Sequence, residues 1–329
     1  MDPFSIPLGT LYNEDCIRGT AAYVPDGSID LIITDPPYGI GGDHLHRHYN
    51  RDERYVVNGY REIPLDQYGM FSRKWVRAAE RILKPGGSLY VISGYTNLYH
   101  ILHALRSTGL QEVNHLIWKY SFGVFTRRKY VSSHYHILFY EKPGGRRTFN
   151  METRYGMGEK DAEGRSLNNL DREDVWVLPR EYKPGTYKNK NALPLSLLVK
   201  MIQYSSNEGD LVCDLFCGGF STARAAIGLN RRFVGFEVSE QIFQAMSGDL
   251  RNLMPGFLLN TLRAPHLSPP AHQGKRWTGD EREQLYRRYR GYQKKGLSKK
   301  ESMKRLAAEM GRGRWGIEKA LKGMERHRG

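Results

Sequence analysis

The sequence predicts an α/β protein with a mostly parallel sheet and a small basic α-helical module near its C-terminal end. Three observations carry this expectation. Apolar, β-branched or aromatic runs alternate with amphipathic helical stretches, the pattern of parallel strands joined by helical crossovers. A glycine turn separates a strand from a helix in "GDLVCDLFCGGFSTARAAIGL". Positive charge gathers in the last segment instead of spreading along the chain.

Taken in order, "TLYNEDC" is the first strand candidate. "IDLIIT", "GSLYVIS", "VNHLIW" and "SHYHILFYEK" follow, each bounded by Gly, Pro or Asp. Between them, "LDQYGMFSRKWVRAAERIL" places Met70, Trp75, Val76, Ala79, Ile82 and Leu83 near one helix face, and "NLYHILHALRSTG" ends on a glycine suited to a helix C-cap. From about residue 143 the chain is rich in Gly, Arg and polar residues with little periodicity, so it reads as an insertion, not as core. "PLSLLVKMIQYSS" resumes a helix, and "RRFVGFEVS" is a last strand with an acid near its end.

A Pro-rich linker, "RAPHLSPPAHQGK", leads into the final segment. From Lys275 to Arg328 there are 18 lysines and arginines against 7 acids, so 11 of the net charge of +15 sits there. Thr278 with Glu281 and Ser298 with Glu301 form capping boxes that start two helices. Met303, Leu306, Ala307 and Met310 make one apolar stripe, and Ile317, Ala320, Leu321 and Met324 another. Three short helices with basic outer faces read as a helix-turn-helix or SANT-like bundle that binds nucleic acid, with Arg312 and Arg314 in its "GRGR" turn as contacts.

Bulk properties agree. A chain of 329 residues, 40% hydrophobic, buries one sizeable core and carries an accessory piece. The charge favours a polyanionic partner. Cys16, Cys213 and Cys217 show no pairing or zinc-ribbon spacing, and no apolar run approaches the roughly 18 residues that a membrane span needs. The start "MDPFSIPLGT" lacks a charged leader followed by an apolar core. The expectation is a soluble, cytoplasmic protein with no membrane partner.

Two motifs carry chemistry. The glycines of "DLFCGGFST" let the backbone turn and approach a ligand at a helix N-terminus, and Glu237 lies about 20 residues beyond Gly218, the spacing at which an acid meets ribose hydroxyls. G-x-G-x-x-G is absent, which favours a compact nucleoside cofactor over a dinucleotide. The second motif, "TDPPYGI", ends the strand "IDLIIT" with an acid, two prolines and an aromatic ring.

Together these residues resemble the amino-group DNA methyltransferases of the permuted β class. Asp35, Pro36, Pro37 and Tyr38 match their (D/N/S)-P-P-(Y/F) motif, and "DLFCGGFST" resembles their D-P-F-x-G-S-G-T-T loop. The catalytic strand precedes the cofactor strand, with the insertion between, as in that group. The resemblance spans roughly residues 9 to 255 and includes "LKPGGSLYV", "SSHYHILFYEKPG" and "DVWVLP". It implies a Rossmann-like methyltransferase fold with circularly permuted motif order. The implied division is 1–142 for the catalytic half of the core, 143–186 for a target-recognition insertion, 187–262 for the cofactor half, 263–274 for the linker and 275–329 for the DNA-binding module.

S-adenosylmethionine is the implied cofactor and double-stranded DNA the implied substrate. Asp35 and the Pro36 carbonyl would accept the two N–H bonds of an exocyclic amine, Pro37 would hold the turn rigid, and Tyr38 would stack on a base flipped from the duplex. Attack would be direct, and a cytosine-C5 reaction is disfavoured because no cysteine follows proline. The cofactor residues carried over are Asp15, Cys16, Asp35, Asn191, Asp214, Phe216, Gly218, Ser221, Thr222 and Glu237. Gly219 and Phe220 depart from the loop pattern, and "NKNALP" stands where H-P-T-Q-K-P is common. Adenine N6 is the target read from the aspartate of the motif, cytosine N4 is the alternative, and a DNA-binding protein with an inactive methyltransferase core is a third reading. A homodimer and a cognate restriction endonuclease are carried as further partners.

Arg127, Arg128 and Lys129, close to Tyr120, Phe122 and Phe125, are read as phosphate or base contacts. Arg146, Arg147, Arg154, Arg165 and Arg172 are candidates for reading bases, since arginine pairs bidentately with guanine. His44, His46 and His48 alternate as metal ligands can, but they are read as part of a loop closing over DNA or cofactor, and no metal is assigned.

Overall fold

The computed structural model of the chain describes residues 2–38, 63–120, 127–179, 193–266 and 275–328. It divides into two compact units, Met1–Met151 with Glu173–Arg263, and Glu152–Arg172 with Ala264–Gly329. His44, His46, His48, Phe122, Phe125 and Asn191 lie outside the described residues.

The first unit runs β1 (Phe4–Ile6), β2 (Gly9–Tyr12), α1 (Cys16–Tyr23), β3 (Ile29–Thr34), α2 (Leu65–Ile82), β4 (Leu83–Ser93), α3 (Leu98–Arg106), β5 (Gln111–Lys119) and β6 (His134–Glu141). After α4 (Leu167–Asp171) of the second unit come β7 (Val175–Val177), α5 (Leu195–Ser205), β8 (Leu211–Asp214), α6 (Ser221–Gly228), β9 (Arg232–Phe236) and α7 (Glu240–Ser247). The strands form one sheet in the order β1-β2-β9-β8-β3-β4-β6-β5-β7. From β2 to β4 all neighbours are parallel, while β6 runs antiparallel to both β4 and β5. The carboxyl ends of β2, β9, β8 and β3 therefore meet at one edge, and this places the site.

Helices cover both faces. On one side α2 and α3 pack Tyr68, Trp75, Val76, Ala79, Ile101 and Leu105 against Ile32, Leu89 and Val91. On the other, α5 and α6 bring Leu198, Ile202, Ala223 and Ile227 against Leu31, Ile33 and Val212. A strand covered on both faces reads as a continuous apolar run, which is why "IDLIIT" was legible. One expected core position is corrected: Met70 is 50% exposed, and Tyr68 and Ser72 occupy the inner face of α2 with Trp75 and Val76. Spacings of three and four residues from Trp75 reach 68, 72, 79 and 82, whereas 70 falls on the outer side.

The stretch from 143 to 186 divides. Asn150 donates to the carbonyls of Gln203 and Ser206, and β7 joins the sheet beside β5 with Trp176 buried under the Lys200 ammonium. Residues 152–172 belong instead to the second unit, where Arg154 pairs with Asp171 and Ser166 caps α4. That unit also contains α8 (Gly279–Lys294), α9 (Lys299–Glu309) and α10 (Arg314–Arg328). Thr278 and Ser298 cap α8 and α9 reciprocally with Glu281 and Glu301. Leu285, Met303, Leu306, Ile317 and Leu321 form the interior.

Candidate active site

The end of β3 builds the first part of the site. Thr34 is the last paired residue, and two prolines, unable to donate to a ladder, end the strand there and leave Asp35 at the turn. Neighbouring elements hold the turn. The Tyr68 hydroxyl on α2 donates to the Pro37 carbonyl at 2.7 Å, and Asn97 Nδ2, just before α3, donates to the Tyr38 carbonyl at 2.6 Å. The Tyr38 ring stacks on Tyr135 of β6 with centroids 5.8 Å apart and planes 24° apart. Tyr135 in turn stacks on Trp118 at 5.4 Å, and the Trp118 indole donates to the Leu178 carbonyl.

Asp214, ending β8, ties this turn to the glycine loop. Its carboxylate accepts from Thr34 Oγ1 at 3.2 Å, from Thr222 Oγ1 at 2.7 Å and from the Phe216 amide at 3.0 Å. Burial pushes its pKa up to about 6 against the lowering by these three donors. One buried acid thus joins the end of β3, the loop and the first turn of α6. Glu237, one residue past β9, accepts from the Gly218 amide at 2.8 Å and the Ser239 amide at 2.7 Å, and burial raises its pKa as well.

The loop turns through left-handed backbone at Gly218 (φ 48°) and Phe220 (φ 57°). The second is unusual for an aromatic residue. Its ring is buried in the core edge-on to Phe243, so the departure from a glycine is absorbed on the core side. Phe216 forms a wall with Trp75 edge-on at 5.8 Å. In the turn between β2 and α1, the Asp15 side chain caps α1 by accepting from the Ile17 and Arg18 amides. Burial pushes the thiol pKa values of Cys16, Cys213 and Cys217 up, so none is poised as a thiolate.

These pieces enclose one cavity of about 270 Å³. Asp15, Cys16, Asp35, Pro36, Pro37, Tyr38, Asp214, Phe216, Gly218, Ser221, Thr222 and Glu237 all line it. An acid held by two amides, with Phe216, Phe236, Val238 and Ile242 as apolar walls, is a donor and surface set that fits the ribose and flat base of an adenosine cofactor.

Tyr68, Asn97, Thr34 and Tyr135 were not singled out from sequence. A tyrosine on the buried face of a helix, whose hydroxyl must find a partner, is the one signal that was there to use.

The arginines separate. Arg127 and Arg128 are exposed in the segment joining Lys119 of β5 to His134 of β6, at the same sheet edge as Asp35. Arg147 is corrected, and the exposed Arg146 lies next to it. They follow the other end of β6, beside Gly86 and Gly87 at the start of β4, roughly 20 Å along the sheet from the site at about 3.3 Å per residue. Arg147 pairs with Glu141 at 2.6 Å and covers the rings of Phe139 and Phe149. Arg312 is corrected too: its side chain is 5% exposed, bonded to Glu281 and to the carbonyls of Lys275 and Arg276, and it lies over Trp277. It is an internal strut. Arg154, Arg165 and Arg172 are engaged with Asp171, Asp161 and Asn169. The side chain of residue 314 lies outside the described atoms.

Among the described residues, no group of three potential metal ligands occurs and no helix is long and apolar enough to cross a membrane. A sheet with paired acids and a glycine loop at its carboxyl edge defines a nucleoside-cofactor enzyme, and comparison with known proteins gives the family. The sequence model of the N6/N4 DNA methylases matches residues 29–247. The chain belongs to that family, as an S-adenosylmethionine-dependent DNA methyltransferase. It is 31% identical over 242 residues to the Type II methyltransferase M.HpaI of Haemophilus parainfluenzae, covering 70% of this chain and 71% of that one. It is 28% identical over 275 residues to M.HinfI of Haemophilus influenzae, covering 80% and 74%. Its fold is similar to that of M1.HpyAVI in complex with S-adenosylmethionine (TM-score 0.52, 20% identity, 74% and 100% covered). It is also similar to that of the cytosine-N4-specific PvuII DNA methyltransferase (TM-score 0.56, 15% identity, 77% and 90% covered).

Proposed function

We propose that this methyltransferase modifies the exocyclic N6 amine of an adenine flipped from double-stranded DNA at a specific site. The observation that carries the reading is the convergence of Asp35–Tyr38, Asp214–Thr222 and Glu237 on one cavity. S-adenosylmethionine, when bound, supplies an electrophilic methyl group. The chain's own residues do the rest. Asp35 and the Pro36 carbonyl accept the amine's two N–H bonds and turn its lone pair toward the methyl, since a lone pair delocalised into the base ring is otherwise a poor nucleophile. Tyr38 stacks on the base, and Glu237 holds the ribose hydroxyls. Asp15, Cys16, Phe216, Gly218 and Ser221 line the remainder of the cofactor site, with Asp214 and Thr222 positioning the loop, and Asn191 stays assigned to it from sequence alone. Arg127 and Arg128 meet phosphate. The insertion reads sequence and the helical module adds duplex affinity.

Nucleoside mass spectrometry of DNA methylated by the purified protein tests the target. N6-methyladenine is expected, and N4-methylcytosine as sole product would overturn it in favour of the second reading, which the likeness of fold to a cytosine-N4-specific enzyme keeps open. Calorimetry of S-adenosylmethionine binding, lost in Asp214→Ala, tests the site against an inactive core. The Type II relatives extend the proposal to a cognate restriction endonuclease, and DNA as substrate with three reduced, buried thiols extends it to a cytoplasmic location. Light scattering in solution tests the homodimer.

A further inference from the structure

The second unit carries an aromatic side chain that stands outside its apolar interior. On α10, Ile317, Ala320 and Leu321 point into the interior shared with α8 and α9. The opposite face presents Trp315, Lys319 and Lys322, spaced four and three residues apart and so aligned along one side of the helix. Trp315 is 75% exposed, and the Lys319 ammonium sits 5.1 Å from its ring centroid. An indole left in water forgoes the burial its apolar area would otherwise give, and a cation over its face pre-orients it. Arg312, buried against Glu281 and the carbonyls of Lys275 and Arg276, fixes the turn that leads into α10 and hence where Trp315 is presented.

We infer that the Trp315–Lys319–Lys322 face of α10 is a docking surface for the sugar–phosphate backbone of duplex DNA. The charge of the module selects this occupant: 18 basic against 7 acidic residues from Lys275 to Arg328, with Arg287, Arg290 and Lys294 exposed along α8 as a second row. A second protein copy would bring the same excess of 11 positive charges against itself, whereas a polyanion releases counterions on binding. The lysines take phosphates, Lys322 giving up its exposed 3.4 Å pair with Glu318 to do so, and the indole packs on a sugar or base edge between them. The inference rests on the reading of the chain as acting on double-stranded DNA and names the residues of that contact.

The tryptophans make a clean test. Of the five, Trp75, Trp118 and Trp176 are buried and Trp277 is half-buried under Arg312, so Trp315 dominates quenching by acrylamide. In the full-length protein a saturating short duplex should lower the quenching constant, and the duplex-dependent change should vanish in Trp315→Phe. Lys319→Gln with Lys322→Gln should weaken duplex affinity by about tenfold and reduce the slope of log affinity against log salt by about 2, with the helical circular dichroism and the unliganded Trp315 quenching of the full-length protein unchanged as the check that the module is folded. Quenching that saturating duplex leaves unaltered would overturn the inference, as would shielding of Trp315 that grows with protein concentration in the absence of DNA. Methyl transfer by the unaltered protein is scored separately. Activity with Trp315 still exposed removes only this surface, and a shielded Trp315 without activity removes only the catalytic reading.

Discussion

Asp214 is where residue chemistry bears most directly on behaviour. Its carboxyl holds a proton to about pH 6, above the roughly 3.9 of an unfolded aspartate, because burial disfavours the charge more than Thr34, Thr222 and the Phe216 amide favour it. A native group that binds its proton more tightly than the unfolded chain contributes stability that is complete below about pH 4 and lost as pH rises through about 6. In ligand-free protein the thermal midpoint of wild type relative to Asp214→Asn should therefore fall between pH 4 and pH 6 and level off above. A shift of about two units corresponds to at most about 3 kcal/mol. A relative midpoint that is flat or rises with pH would rule out this role. Tyr135 acts at the same scale by backing the Tyr38 ring. Tyr135→Ala should lower kcat about threefold to tenfold, the worth of one aromatic pair, while Tyr135→Phe stays near wild type and S-adenosylmethionine affinity is unchanged. Equal loss in both variants would argue that the hydroxyl, not the stack, matters.

At the scale of elements, the turn after β3 is held by two helices it does not belong to. Tyr68→Phe removes the donor to the Pro37 carbonyl, a hydrogen bond worth about 1 kcal/mol, and should cost roughly fivefold in kcat with little change in KM for DNA. A rise in KM with kcat intact would instead assign Tyr68 to substrate binding. The first turn of α6 poses an opposite choice. Phe220 accepts left-handed backbone at a cost of about 1–2 kcal/mol because its ring fills the core beside Phe243. Phe220→Gly relieves the backbone but empties a site whose loss costs about 3–5 kcal/mol, so urea denaturation should show a net destabilisation of about 2 kcal/mol. A more stable glycine variant would mean that strain outweighs packing.

For the whole molecule, the permuted order of motifs has no consequence for the site. β3 and β8 are separated by nearly 180 residues of chain yet are neighbours in the sheet, joined at Ile32 and Cys213. The chain leaves β3 toward β4 and leaves β8 toward β9, so the crevice opens where the direction of winding reverses. Charge is distributed on the same scale. Removing residues 275–329 should weaken duplex binding and flatten its salt dependence while S-adenosylmethionine still binds, because the first unit has its own core. Titration of both forms across ionic strength measures this, and an unchanged slope would place the DNA contacts in the first unit.

The sequence by itself determined the family, the alternating elements and the residues whose chemistry is local: the acid and prolines of Asp35–Tyr38, the glycine loop at Asp214–Thr222, the acid Glu237, and the capping boxes at Thr278 and Ser298. Each is a short pattern written in the chain itself, and the first three take their meaning from occurring together in this order. Tertiary structure decided what depends on partners distant in the chain. Tyr68, Asn97 and Tyr135 became the supports of the turn after β3 only when α2 and α3 packed on the sheet and β6 took its place on the far side of β4. Arg147 and Arg312, counted as cations for DNA, turned inward because Glu141 and Glu281 lie within reach in the folded chain. Met70 was sent to the surface by a difference of two residues in helix phase. Composition records a charge or an apolar side chain, and only packing decides whether it faces a partner inside the protein or outside it.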